Sequence, residues 1–195
     1  MEQEEKVMTG EESLKIITEM INKTKISISQ GSFHLLFWGW LIFICSLSEY
    51  FLYRFTDFTN AWYVWFFVIP GVFVSMIYGF VKGKKATIHT YAEMVYMWIW
   101  LGFAFAIAIL FIIHGKEMAS VDKYILMLAG LPTFISGSVL KFKPLIIGGI
   151  SFWVFALVGY FAGPSIGPLA VPAAMLTGYL IPGYMLKKKV DHGTI

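Results

Sequence analysis

Charge is what this chain has least of. Of its 195 residues only 14% are Asp, Glu, Lys or Arg, where a soluble domain carries about 25%, and 58% are hydrophobic. Mean hydropathy is +0.72. A water-soluble fold of this length keeps much of its surface wet and has nowhere to put so much apolar area. Cysteine is nearly missing, and the single Cys45 excludes an internal disulfide. Catalytic signatures are lacking too. No G-x-S-x-G is paired with a histidine base, no H-E-x-x-H occurs, and no glycine-rich loop leads into Lys and Ser or Thr. The opening "MEQEEK" is acidic and polar, without an apolar core, so no secretory signal is expected there.

In place of charge there are six long apolar runs: Phe33 to Tyr53, Ala61 to Val81, Met94 to Ile113, Tyr124 to Leu140, Pro144 to Phe161 and Pro168 to Leu186. Each has the length that crosses a hydrocarbon core of about 30 Å at 1.5 Å per residue. They are continuously apolar rather than alternating, which excludes barrel strands and leaves helices. The expected fold is an all-α integral membrane bundle of six transmembrane helices, residues 32–186. A cytoplasmic amphipathic segment, 1–31, precedes it and a basic cytoplasmic tail, 187–195, follows.

The sparse basic residues alternate between the connecting segments. Twelve of the 15 fall on one side: Lys6, Lys15, Lys23 and Lys25, then Lys82, Lys84 and Lys85, then Lys141 and Lys143, then Lys187, Lys188 and Lys189. Arg54, Lys116 and Lys123 fall on the other. Positive-inside retention places the twelve, and both termini, in the cytoplasm. Lys141 and Lys143 therefore mark a very tight turn between the fourth and fifth spans, with Pro144 suited to the first position of the fifth helix.

Before the first span, Leu14, Ile17, Ile21 and Ile28 recur at mostly helical spacing, and Thr9 with Glu12 has capping-box spacing. This predicts a short amphipathic helix along the cytoplasmic face, separated from the first span by Gly31. Even-numbered spans carry a proline with a small residue five positions on: Pro70 with Ser75, Pro132 with Gly137, Pro172 with Thr177. Three related hairpins would produce that pattern, although proline and small residues are common in membrane helices anyway. Ser75 and Gly79 make a small-xxx-small packing match.

Chemistry-bearing residues are few. The middles of all six runs hold no Asp, Glu, Lys or Arg, which argues against an ion-driven transporter with a midplane carboxylate. Glu49 sits near the outer end of the first span and Glu93 at the cytoplasmic start of the third, both within reach of headgroups. His34 is the one histidine inside a span. His89, in the second cytoplasmic loop, is near enough in topology to approach it, but two histidines are too few ligands for a metal or haem site. Trp98 and Trp100 point to faces about 200° apart on one helix, where they pack against neighbours or line an apolar pocket. No catalytic residue, metal or cofactor is expected, and the chain is read as a non-enzyme.

In "PTFISG…LKFKPLIIGG" and "SISQGSFHLLFWGWLIF" the chain resembles a group of small, functionally uncharacterised, multi-spanning bacterial inner-membrane proteins. The resemblance implies a bacterial inner-membrane location and carries over no site residue. Two functions stay open at this point, with a cofactor-dependent membrane enzyme third and least favoured. One is transport of a small solute or a lipid-related molecule. The other is a sensor or accessory subunit that couples to a cytoplasmic partner through the N-terminal helix. The expected partners are the lipid bilayer, further copies of the chain or a cytoplasmic protein, and no nucleic acid.

Overall fold

A computed structural model describes residues 10–56, 58, 60–83, 91–114 and 121–191. All regular structure among these is helical. Lys84, Lys85, His89 and His192 lie outside the described residues, as do the side chains of Lys82, Glu93 and the apolar positions before Gly31.

Helix α1 spans Gly10–Phe55 without interruption. The expected break at Gly31 does not occur: the backbone is helical through that residue and on into the apolar run. One glycine costs a helix only about 1 kcal/mol, which flanking helix formers absorb. A 3-10 segment, Ala61–Phe67, leads into α2, Val68–Gly83. Helix α3 is Tyr91–His114, α4 is Val121–Val139 and α5 is Lys143–Phe161. The last apolar run is broken into pieces. Helix α6, Gly163–Ile166, and a 3-10 turn, Gly167–Leu169, precede α7, Ala170–Met175. A π-helical segment, Leu176–Leu180, then joins α7 to α8, Ile181–Asp191.

Five helical stretches are long and apolar enough to cross a membrane: Ser32–Phe55, Ala61–Val81, Met94–His114, Lys143–Phe161 and Gly167–Lys189. Helix α4 has the length, at 19 residues, but carries Asp122, Lys123, Thr133, Ser136 and Ser138 and is less apolar. Its place in the packing explains that composition. One face of it is packed, with Leu126, Ala129, Thr133 and Ser136 buried, while Tyr124, Met127, Leu131 and Ile135 are exposed on the other. By contrast, α2 and α3 expose Phe73, Ile77, Phe80, Trp98, Phe105 and Ile112, as helices facing lipid do.

The α4–α5 hairpin is the tightest unit. A Cβ placed on Gly137 would stand 2.6 Å from the Ile146 nitrogen, and one on Gly149 would stand 2.6 Å from the Phe134 nitrogen. Only glycine lets the two backbones come this close, and close backbone approach supplies the dispersion contacts that hold helices together in lipid. The turn between them is a Schellman motif: Phe142 N–H donates to the Gly137 carbonyl at 2.8 Å and Lys141 N–H to the Ser138 carbonyl at 3.1 Å. Lys141 occupies its left-handed position, φ 51°, where glycine is usual. Pro144 sits in the first turn of α5, one place after Lys143. Phe142 is buried beneath the turn, and the Lys189 ammonium lies 5.3 Å from its ring, which brings the tail lysines to the same end as Lys141.

The proline-plus-five positions do not repeat one contact. Ser75 accepts the Trp38 Nε1–H of α1 at 3.3 Å, Gly137 closes on α5, and Thr177 shares a 3.0 Å hydrogen bond with Ser151 of α5. Gly79, the expected packing partner of Ser75, has no neighbour within 4 Å of a Cβ placed on it and is exposed.

Candidate functional site

Four helices converge on Tyr179, in the π-helical segment. A π turn adds one residue to the helical repeat, re-aims the side chains around it and frees backbone groups. Pro172 and Pro182, on either side, each remove an N–H from the ladder, and Thr177 returns its hydroxyl to the Ala173 carbonyl at 3.1 Å. Gly178 allows the segment to lie against α5. A Cβ there would run into the Phe152 ring, and one on Gly148 would stand 2.7 Å from the Gly178 carbonyl.

Tyr179 is 6% exposed. Its ring meets Phe152 edge-on at 5.0 Å and Trp100 at 6.5 Å. Gly39 of α1 lies against its Cβ. Its hydroxyl is 3.3 Å from the Thr133 hydroxyl, which in turn donates to the Ala129 carbonyl at 2.7 Å. The one Thr133 proton is shared between the Ala129 carbonyl and the Tyr179 oxygen, which accepts from it.

Two further polar atoms in this part of the core have no partner among the described residues. The Trp100 indole N–H is buried and unbonded, although Tyr96, one turn earlier, lies beside it with ring centroids 6.0 Å apart and planes tilted by 48°. The Tyr96 hydroxyl lies close to that indole. Ser136, three residues after Thr133 and 2% exposed, has an unbonded hydroxyl. Leaving a buried hydroxyl or N–H unpaired costs about 1–3 kcal/mol, so such atoms in a packed core call for an explanation. The cluster carries no formal charge. Thr133 and Tyr179 are each eight residues, about 12 Å along a helix, from Lys141 and Lys187 at the lysine-rich end.

The residues singled out from sequence separate cleanly. Trp100 belongs to this cluster, whereas Trp98 is 61% exposed on the opposite face, as their angular offset requires. His34 packs edge-on against Tyr78 at 5.6 Å, near the lysine-rich end. Glu49 accepts the Trp65 Nε1–H at 2.8 Å at the far end, where Asp122 adds a second carboxylate. Glu93 is on the first turn of α3, with its side chain outside the description. Among the described residues no three His, Cys, Asp or Glu side chains group together. Residues Gly163–Gly167 match the G-x-S-x-G spacing, but they form α6 and the start of the 3-10 turn rather than the strand-to-helix turn that a nucleophile elbow needs, and Ser165 is exposed.

Tyr96, Thr133, Ser136 and Tyr179 were not anticipated as site residues. One signal did exist: the last apolar run is interrupted by Pro172, Gly178, Pro182 and Gly183, and a proline- and glycine-broken span is the best sequence pointer to a binding helix in a transporter. No protein family, curated protein or solved structure matches this chain.

Proposed function

We propose that this protein is a six-span integral membrane protein of a bacterial inner membrane, with both termini cytoplasmic, that binds and passes a small uncharged polar solute. The sixth span in this reading is α4, packed mainly against α5 and α3. The observation that carries the proposal is the π-helical segment that brings Tyr179 against Thr133, with the Trp100 N–H and Ser136 O–H left unpaired in the same core. A hydroxyl- or amide-bearing solute supplies both the acceptor that Trp100 lacks and the partner that Ser136 lacks. An ion does not fit, because no opposite charge stands near and a lone charge in lipid is expensive. The resemblance to small inner-membrane proteins agrees with the location and says nothing of the solute.

Stopped-flow light scattering on proteoliposomes tests this with glycerol, urea and a charged control solute. Glycerol or urea entry should exceed that of protein-free vesicles, and Trp100→Phe or Tyr179→Phe should bring it down. Equal rates with and without protein for every solute would end the proposal.

A second reading, a sensor or accessory subunit, is favoured by one feature. Helix α1 runs unbroken from Gly10 to Phe55, so its first 22 residues, about 33 Å of helix, continue directly into a span that touches Tyr179 through Gly39. Deleting residues 1–30 would then release a co-purifying soluble protein while leaving solute entry unchanged.

A further inference from the structure

A second feature lies at the lysine-rich end, away from Tyr179. Helix α1 forms the floor of an open groove of about 630 Å³, with the end of α2 as one wall and α8 as the other. Phe33, Leu36 and Trp40 line its length. The aromatic wall is well ordered by its own contacts: Phe33 stacks on Tyr78 at 3.8 Å, and Trp40 donates to the Tyr184 hydroxyl at 3.1 Å. From Ser32 to Trp40 the groove descends about 12 Å along α1 into the apolar run. Its mouth holds two opposite charges from α8, Lys187 and Asp191, both exposed.

Those two charges have an order. Lys187 is the deeper and Asp191 is one turn, about 6 Å, farther from the apolar core. A basic residue preceding an acidic one at this spacing is the weaker arrangement for pairing within a helix, which leaves both available to a third party. A phospholipid at this level has its chains below, its phosphate at the interface and its headgroup amine outermost. That sequence of apolar, negative and positive is the complement of apolar floor, Lys187 and Asp191.

We propose that the groove seats one phospholipid carrying a primary ammonium headgroup: an acyl chain along Phe33, Leu36 and Trp40, the phosphate on Lys187 and the ammonium on Asp191. A primary ammonium donates hydrogen bonds to a carboxylate, whereas a quaternary ammonium has no N–H to give. A purely anionic headgroup meets repulsion from Asp191. The groove therefore selects phosphatidylethanolamine-type lipid over both choline and glycerol headgroups. This inference rests on the bilayer placement of α1 and α8 and not on solute passage at Tyr179.

Native mass spectrometry of the full chain, released from detergent with equimolar phosphatidylethanolamine, phosphatidylcholine and phosphatidylglycerol of identical chains, reads the selection directly. The ethanolamine lipid should be retained about five- to tenfold over the other two, the discrimination that one charge-assisted hydrogen bond supports. Asp191→Asn should abolish the preference over the choline lipid and raise phosphatidylglycerol binding. Lys187→Gln should weaken all three, and Leu36→Trp should block retention while thermal melts confirm that each variant is folded. Equal retention of the three lipids, or selection unchanged in Asp191→Asn, overturns the proposal. Tyr179→Phe should leave lipid selection intact, so failure of the solute reading and failure of this one are separately visible.

Discussion

The Thr133 hydroxyl points its proton between the Ala129 carbonyl, 2.7 Å away, and the Tyr179 hydroxyl oxygen, 3.3 Å away. The two residues are 46 positions apart and come from different helices. Their meeting depends on the π turn in the last span, because a regular helix from Ala170 onward would rotate Tyr179 off this face.

If that hydroxyl pair is a real coupling, Tyr179→Phe and Thr133→Val should not be additive. Each should lower the free energy of unfolding in mild detergent by about 1 kcal/mol, with a double-mutant coupling of about 0.5–1 kcal/mol. Additive effects would mean the hydroxyls merely sit near each other.

The α4–α5 contact predicts a larger loss. Gly137→Ala or Gly149→Ala should force the helices apart and lower the melting temperature far more than Gly79→Ala, whose added methyl meets open space. Thermal melts followed by tryptophan fluorescence compare the three. Similar melting temperatures would show that the hairpin can spread without cost.

Lys141 should be improvable. Replacing it by glycine relieves a left-handed backbone position and should stabilise the chain by about 0.5–1 kcal/mol, while Lys141→Ala should bring no gain. The same detergent melts decide it. A gain with alanine equal to that with glycine would place the effect in the lost charge instead.

At the opposite end, Trp65→Phe removes the donor that Glu49 accepts at 2.8 Å. Losing that bond should cost about 1–2 kcal/mol, and Glu49→Gln, which keeps an acceptor oxygen, should cost less. Equal costs would assign the contact to ring packing.

Topology has its own check. A fluorescent protein fused after Ile195 should be bright and alkaline phosphatase there inactive, with the reverse for fusions at residue 118. A bright phosphatase fusion at the C-terminus would invert the orientation.

Much of the frame was legible along the chain. Five apolar runs reappear as helices within a few residues of their expected ends, since a stretch with no charge and about 20 apolar side chains has few other ways to satisfy its backbone. The Lys141–Lys143 turn was legible as well, because charge and proline bracket it. Gly31 misled: local propensity suggested a break, and flanking helix formers carried the helix through. The site stayed hidden, except for the proline and glycine interruptions of the last span. Thr133, Ser136 and Tyr96 look like ordinary small or aromatic residues of a membrane helix until Tyr179 is brought to them.

Composition thus determined that the chain is built of long apolar helices and roughly where five of the six expected runs end, because that depends on local backbone satisfaction. Which helices touch, which polar atoms are buried without partners and which charges flank the groove were decided only in three dimensions. Helix packing in an apolar surrounding rests on close contact between residues far apart in the chain, such as Gly137 with Ile146 or Tyr179 with Thr133, and no local pattern encodes those pairings.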